Sequence, residues 1–443
     1  MSLTRPILTR LRVRSLLAYL ALAAGTVAFI PGMGVTGALA VSVAVIMGWG
    51  DLRRITRMLS VLVAIGFALA LATEPGALVL ATGNMTRLAA LIISVMLLSA
   101  ILSQSPDIRA ISRSLFGGRA LGRYYRVGFG TAFLSLPLNF GAVAVVSTLV
   151  GEEVREGGDS AKTRNVTRSL LRGFGTAPMC SPLSISVALT LTLVPGLHSV
   201  ELLSLSLPIA LVFLLLSARY REPEVSTREP ALAGAIEWAP WLRFALTIGS
   251  ICAATLALSA SMGVSYSRAV TLSCLAAVIL AALYRLLIRE KVGLPSLAPV
   301  SNELVIVGGS AFLGSLISTL ALAYISDGQQ LAPWAYPVAA MLVPWAYFLA
   351  GMIGVNPIIT GTLVGGVLGP MWPAESVLAL GLVMVVSWGI TASGTPYSAT
   401  SLLMERLSGY SAWHAALHWN RMLSVFTLLL VGLAAAGMTM LMG

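Results

Sequence analysis

The stretch Leu136-Pro137-Leu138-Asn139-Phe140-Gly141 is followed by Gly175-Thr176-Ala177-Pro178-Met179-Cys180-Ser181-Pro182. The same order returns later as Gly354-Val355-Asn356-Pro357 and Thr391-Ala392-Ser393-Gly394-Thr395-Pro396. Each half pairs an Asn-centred break with a later break that ends in Ser-Pro or Thr-Pro. The separations nearly agree, 43 positions from Asn139 to Pro182 and 40 from Asn356 to Pro396. Past the second break, a mostly apolar run reaches Gly196 in one half and Gly409 in the other. Matched interruptions of apolar segments in the two halves of a membrane protein are the sequence mark of a transporter's binding site.

Composition sets the surroundings of these breaks. The chain is 57% hydrophobic and 10% charged, with a mean hydropathy of +0.91. A soluble domain carries about 25% charged residues, so a polytopic, all-α membrane protein is expected. At roughly 20 apolar residues per span, 443 residues leave room for about ten spans. The first apolar run follows Arg5, Arg10, Arg12 and Arg14, as a signal peptide would, but Phe29-Ile30-Pro31-Gly32 leads straight into another apolar run. An uncleaved first hairpin is therefore expected. The net charge of +11 sits in short loops between apolar runs, the distribution of cytoplasmic loops, which argues against nucleic acid as a partner. Cys252 and Cys274 read as reduced packing residues, and Cys180, inside a break, is placed to line a cavity.

The positive-inside rule gives the topology. The Arg-rich amino terminus is expected in the cytoplasm of a bacterial inner membrane. Residues 1–84 form scaffold helices. Residues 85–220 form a first repeat: Val127–Val150 has basic flanks at both ends, as a re-entrant hairpin opening inward would. Residues 221–240 make a polar cytoplasmic linker, and 241–300 more scaffold helices. Residues 301–443 form a second repeat, whose hairpin (about Ala335–Met371) has no Lys or Arg in its flanks and opens outward, after an external loop Asp327-Gly328-Gln329-Gln330. The bookkeeping predicts two inverted-topology repeats with re-entrant hairpins and broken helices. Such backbone is tolerated at membrane depth only where protein or a cavity surrounds it.

Ser181-Pro182, Thr395-Pro396 and Asn356-Pro357 each set an N-cap type of residue before a proline that fits the first helical position. Asn139 is expected to cap without a proline. Four half-helices starting near the midplane would point partial positive charge and free amides at an anion, and unwound carbonyls suit a small cation. The expected substrate-binding residues are Asn139, Gly141, Thr176, Ser181, Pro182, Asn356, Pro357, Thr360, Ser393, Thr395 and Pro396. The expected cation-coupling residues are Asn139, Asn356, Gly175 and Gly394. One Pro-containing kink alone is usually structural; two matched pairs carry the argument. No catalytic residue, metal site or cofactor is expected, beyond Na⁺ or H⁺ as a coupling ion.

Other residues attract notice for less. His414 and His418 stand at i, i+4, as in a zinc motif, without a Glu or third His nearby. His198 lies near an external turn. Glu405 is next to Arg406 and reads as a cytoplasmic helix end rather than a proton carrier. Arg172 reads as a positive-inside anchor ahead of an anion contact. Trp334, Trp345, Trp372 and Trp388 read as interface or packing aromatics.

Two bundles in inverted relation, each with an Asn-tipped hairpin and a helix broken at Ser-Pro or Thr-Pro, resemble the ion transporter superfamily, and most closely its divalent anion/sodium symporter group. In that group each hairpin tip holds Ser-Asn-Thr and each broken helix Thr-Pro-Pro. Here Asn139 and Asn356 match the hairpin Asn, and Ser181-Pro182 and Thr395-Pro396 match the second motif. The tips read Pro-Leu-Asn-Phe-Gly and Gly-Val-Asn-Pro instead, and Leu183 and Tyr397 stand at the second proline. The resemblance covers architecture over about Ala89 to Leu433. It implies that these residues contact the substrate and adjacent sodium ions, that a hairpin-bearing bundle moves as an elevator against a scaffold, and that the protein is a homodimer. The expected function is ion-coupled transport of a small organic or inorganic anion across the lipid bilayer, not enzymatic catalysis. A cation/proton antiporter is the alternative, but it needs an intramembrane carboxylate, for which Glu405 is the candidate. A membrane-embedded enzyme, the further alternative, calls for a large charged external loop, and the external turns here are short. An ATP-driven pump is disfavoured by the lack of G-x-x-x-x-G-K-[ST].

Overall fold

The computed structural model describes residues 5–224, 238–290, 293, 295–324 and 331–442. The loop 327–330, expected to be external, and most of the linker 221–240 lie outside the described residues. Those described form helices and short connections, with no strand among them. Among the described residues, ten helical segments are long and apolar enough to cross a membrane.

One group of helices centres on α4. It begins with α1 (Arg5–Thr26), α2 (Met33–Met47), α3 (Arg54–Thr73) and α4 (Ala77–Leu102). A short amphipathic α5 (Pro106–Ser114) follows, started by Ser105, whose side chain accepts from the Asp107 amide, with Pro106 at the first position. The next elements are α6 (Ala120–Leu138), α7 (Phe140–Gly157), α8 (Ala161–Cys180), α9 (Ile185–Leu193) and α10 (Ser199–Ser217). Beyond the linker come α11 (Trp238–Ser261) and α12 (Tyr266–Leu287). A one-turn α13 (Ser301–Glu303) runs through a π-helical turn, Leu304–Gly309, into α14 (Ser310–Tyr324). The last elements are α15 (Ala335–Met352), α16 (Pro357–Leu368), α17 (Val377–Gly394), α18 (Ala399–Ser408), a second π-helical turn at Trp413–His418, and α19 (Arg421–Met442).

Helices α1, α2, α12 and α14 pack on α4, while α8, α15 and α19 pack on α17. Burial separates centre from rim. Of an apolar 18-residue window in the span that includes α17, 94% is buried, against 17% for that of α3, so α17 is a core helix and α3 turns apolar side chains such as Met58, Leu62 and Ile65 outward. An apolar rim of this kind suits lipid contact.

An ionic clamp fixes one end of the bundle. Glu222 takes Arg168 at 2.6 Å and Arg164 at 2.7 Å, Glu224 takes Arg123, and Asn165 Nδ2 donates to Glu224 at 2.9 Å. Burial raises the Glu222 pKa, but the hydrogen bonds and charges of Arg164 and Arg168 outweigh it and hold the carboxyl below its ordinary value. The clamp joins the first turns of α6 and α8 to the start of the linker. The basic residues expected to mark the cytoplasmic side thus also tie three segments together.

Candidate functional site

The broken segments form two similar units. In the first, α6 ends at Leu138 and α7 begins at Phe140, with Asn139 alone between them at φ 48°, ψ −120°. A non-glycine residue there is strained by about 1–3 kcal/mol, and such strain gathers at functional sites. Tyr124 accepts a hydrogen bond from Ser169 at 2.5 Å, and Gly128 lies against Gly173, so α6 runs parallel to α8. Helix α7 leads into α8 through Gly158-Asp159-Ser160, where Ser160 makes a capping box with Thr163. The two arms therefore form a hairpin whose open end lies at the ionic clamp.

The second unit repeats the plan. Tyr336 at the start of α15 stacks edge-on against Trp372 and donates to Met371 O at 3.2 Å. At its other end a Cβ on Gly351 would meet Thr391, and would lie 3.0 Å from Thr395 Oγ1. Helix α15 thus runs parallel to α17, and α16 returns beside it.

The two broken helices cross where small residues allow it. A Cβ on Gly175 of α8 would lie 2.5 Å from Ser393 Oγ and 2.9 Å from Gly389 O. A Cβ on Gly389 would collide with Gly175 O and lie 2.7 Å from Met179 Cγ. Gly175 meets Ser393 while Met179 meets Gly389, so α8 and α17 are antiparallel. Since each runs parallel to the first helix of its own pair, the pairs α6–α7 and α15–α16 open toward opposite ends of the bundle.

The breaks differ in detail from expectation. Asn356 caps as expected, its Oδ1 accepting from Ile358 N at 2.9 Å with Pro357 at the first position. Asn139 makes no such side-chain cap, because its left-handed backbone serves the chain reversal. Ser181 and Thr395 do not start the second half-helices; they close the first ones. Thr395 Oγ1 donates to Thr391 O at 2.7 Å, and Ser181 Oγ accepts from Leu183 N at 3.1 Å. The caps are Ser184 and Ser398, each three residues later, accepting at 3.1 Å from Ser186 N and Ser401 N. Ser181-Pro182-Leu183-Ser184 and Thr395-Pro396-Tyr397-Ser398 are thus the matched pair, and the serine after Pro-x was the signal to follow. Gly196 and Gly409 close the apolar runs at φ 80° and 82°.

The expected site residues divide by what their polar atoms do. Thr176 donates to Gly173 O at 2.7 Å and Ser393 to Gly389 O at 2.9 Å, so these hydroxyl protons are spent within their own helices. Pro182 O accepts from Tyr266 at 2.8 Å, and Thr395 O from Ser401 Oγ at 2.8 Å. Gly394 is buried against Ser424 and Phe348, and Pro357 and Pro396 are buried, while Gly141 is half-buried beside Leu138. Thr360 differs: its hydroxyl is buried without a partner. It shares that state with Tyr347, Thr362, Ser387, Thr391 and Thr190, which the sequence reading did not single out. These six belong to α9 and to α15–α17; other buried hydroxyls without a partner, such as those of Thr131, Ser147 and Ser310, lie on other helices. Buried polar atoms are normally hydrogen-bonded, so each such hydroxyl is a point where a polar atom of a ligand or water would fit. Among the described residues no hydrogen bond joins Asn139 to Asn356. The structure brings Gly175 to Ser393 and Thr395 to Gly351, each next to a hairpin.

No family model matches this sequence, and no curated protein matches it. The function must be read from the chain itself.

Arg172 has a definite task. It is 1% exposed, and it donates to Asn420 Oδ1 at 2.7 Å, Tyr124 OH at 2.7 Å, Ser217 O at 2.8 Å and Trp419 O at 3.1 Å. Asn420 in turn donates to Ser393 O at 3.3 Å. The guanidinium therefore links α6, α8 and α10 to the turn before α19 and to the end of α17. His414 and His418 lie in the π-helical turn with ring centroids 6.2 Å apart. Among the described residues no group of three or more His, Cys, Asp or Glu could hold a metal.

Proposed function

We propose that this chain is a secondary active transporter of a small organic or inorganic anion, embedded in a bacterial inner membrane with its amino terminus in the cytoplasm. In this reading the two units are inverted repeats, their hairpins are re-entrant, and transport is coupled to Na⁺ or H⁺ through elevator-type motion, as in the ion transporter superfamily that the chain resembles. The observation that carries the reading is the antiparallel crossing of two broken helices at Gly175 and Gly389, each flanked by a hairpin tipped with Asn. Support also comes from the unpartnered hydroxyls around Thr360 and from the strained backbone of Asn139. Binding an anion at such a place needs no buried cation, because helix amino termini and hydroxyls supply the donors.

A second reading, a cation/proton antiporter, draws on Glu303. This carboxylate, missed from sequence, stands at the head of the Leu304–Gly309 π-helical turn within a span, and its Oε2 is buried without a partner. Intramembrane carboxylates of that kind carry protons in many pumps.

The test is a stability screen of the purified protein against carboxylates, sulfonates and inorganic oxyanions, with Na⁺ exchanged for choline, followed by uptake into proteoliposomes. A true ligand at about a hundredfold excess over Kd adds roughly 2.7 kcal/mol of stability. Uptake of a stabilising anion driven by a Na⁺ or H⁺ gradient supports the proposal. Proton flux driven by cations, lost in Glu303→Gln and indifferent to every anion, replaces it with the second reading.

A further inference from the structure

A cavity of about 420 Å³ lies where α4, the end of α9, the start of α12 and α14 meet. Its size is within the range of about 300–1,000 Å³ that holds small ligands. Its polar wall includes Asn84, Arg87, Thr192, Ser267, Ser315 and Ser318, with no carboxylate among the lining residues. The cavity is at the end of the bundle away from the Glu222 clamp, since α8 starts at that clamp and α9 ends at the cavity.

Arg87 is the unusual member. It stands inside the span Ala77–Leu102, where a charged side chain is costly and normally faces a partner or a water-filled space. No carboxylate among the described residues pairs with it. Its Nε donates to Gly83 O at 3.3 Å and its Nη2 to Asn84 Oδ1. Asn84 Nδ2 then donates to Ser315 Oγ at 2.5 Å. This relay fixes the guanidinium against α14 and leaves Nη1 without a protein acceptor among the described residues. A guanidinium carries five N–H donors in a rigid fork, and that fork matches the paired oxygens of a carboxylate, sulfonate or phosphate. Serine and threonine hydroxyls around it supply further donors.

The cavity also touches the first break. Tyr266, which lines it, donates to Pro182 O at 2.8 Å, and Thr192 and Leu193 of α9 form a wall. One side of the cavity therefore belongs to the α4 group and the other to the broken helix.

We infer that Arg87 binds a small oxyanion from solution in this cavity, as a recognition subsite on the path to the broken helices. The inference rests on the transport reading, because only there does an anion have a reason to pass between these two groups. The same fork would accept a lipid phosphate, so the test separates the two sources.

The experiment measures binding of sulfate and of succinate to the full-length protein by calorimetry, in a neutral detergent and again in nanodiscs containing phosphatidylglycerol, at constant ionic strength. The expected result is binding of at least one probe in both settings, with Arg87→Gln weakening it about tenfold or more and Arg87→Lys, which keeps charge but not the fork, falling between. If Arg87→Gln does not fold, Ser318→Ala and Thr192→Val, both on the wall, take its place and should weaken binding severalfold. Wild-type affinity in the cavity variants, with binding lost in Asn139→Ala or Asn356→Ala, would overturn the subsite and leave the transport reading standing. Binding abolished by phosphatidylglycerol would assign the fork to a lipid phosphate and overturn it as well. Failure of both probes to bind would overturn it too, while gradient-driven uptake of another anion would keep the transport reading.

Discussion

Adding one methyl group at the helix crossing tests the packing that defines the candidate site. In Gly175→Ala the new Cβ would lie 2.5 Å from Ser393 Oγ, 2.8 Å from Ser393 Cβ and 2.9 Å from Gly389 O. In Gly389→Ala it would strike Gly175 O itself, with Met179 Cγ and Cε at 2.7 and 2.8 Å. A methionine side chain can swing away, but a helical carbonyl cannot, so the helices must part. Overpacking of this kind costs about 1–3 kcal/mol. Gly389→Ala is expected at the upper end of that range and Gly175→Ala lower. Removing the Ser393 side chain clears the two nearest atoms from the Gly175→Ala clash and leaves only the 2.9 Å contact. The double variant Gly175→Ala/Ser393→Gly should therefore recover part of the loss, with a coupling energy of about 1 kcal/mol in a double-mutant cycle. Thermal melts of the purified protein in one detergent supply all four corners. Wild-type stability for both alanine variants, or strict additivity in the cycle, would mean that α8 and α17 do not touch here, and the site built on their crossing would fall.

Arg172→Met strips donors from Tyr124, Asn420, Ser217 and Trp419 in a buried setting. At roughly 1–3 kcal/mol per stranded group, the folded yield on size exclusion should collapse, and Arg172→Lys should restore only part of it. Ser184→Ala and Ser398→Ala should each cost about 1 kcal/mol as lost caps; larger losses from alanine at Ser181 and Thr395 in the same melts would return the caps to those residues. The Glu222 clamp gives a pH dependence. Its carboxyl is held below the ordinary value of 4.5, so its contribution is present above that pH and fades as pH falls through the lower folded value. Melting curves of wild type and Glu222→Gln should differ at neutral pH and converge on acidification; a gap that widens in acid would contradict the pairing.

Much of this architecture is legible in the residues because it follows from composition and from helix punctuation. The apolar runs mark the spans, and Asn356-Pro357 caps a helix by local chemistry alone, needing nothing from the rest of the fold. Asn139 is legible as a break for the same reason, but its conformation is not: its side chain does not cap α7, and its positive φ serves the reversal between α6 and α7. The caps at Ser184 and Ser398 were displaced because Ser-Pro and Thr-Pro look like helix starts, whereas Thr395 instead bonds back to Thr391 and closes the helix before it. Arg172 and Arg87 show what sequence hides. Both are arginines in apolar segments, yet one meets four neutral acceptors drawn from distant helices and the other faces a cavity. The unpartnered hydroxyls of Tyr347, Thr360 and Thr391 are likewise products of packing, since threonines in an apolar helix look alike until their neighbours are known.

The most direct test of opposed hairpins is side-specific labelling. Single cysteines replace Gly157 and Trp334, exposed residues at the open ends of the first and second hairpins, in a background lacking Cys180, Cys252 and Cys274, and a membrane-impermeant maleimide is applied to right-side-out and inside-out vesicles. Gly157→Cys is expected to react from the cytoplasmic face and Trp334→Cys from the external face. Reaction of both from one face would contradict the inverted arrangement and the transport mechanism drawn from it.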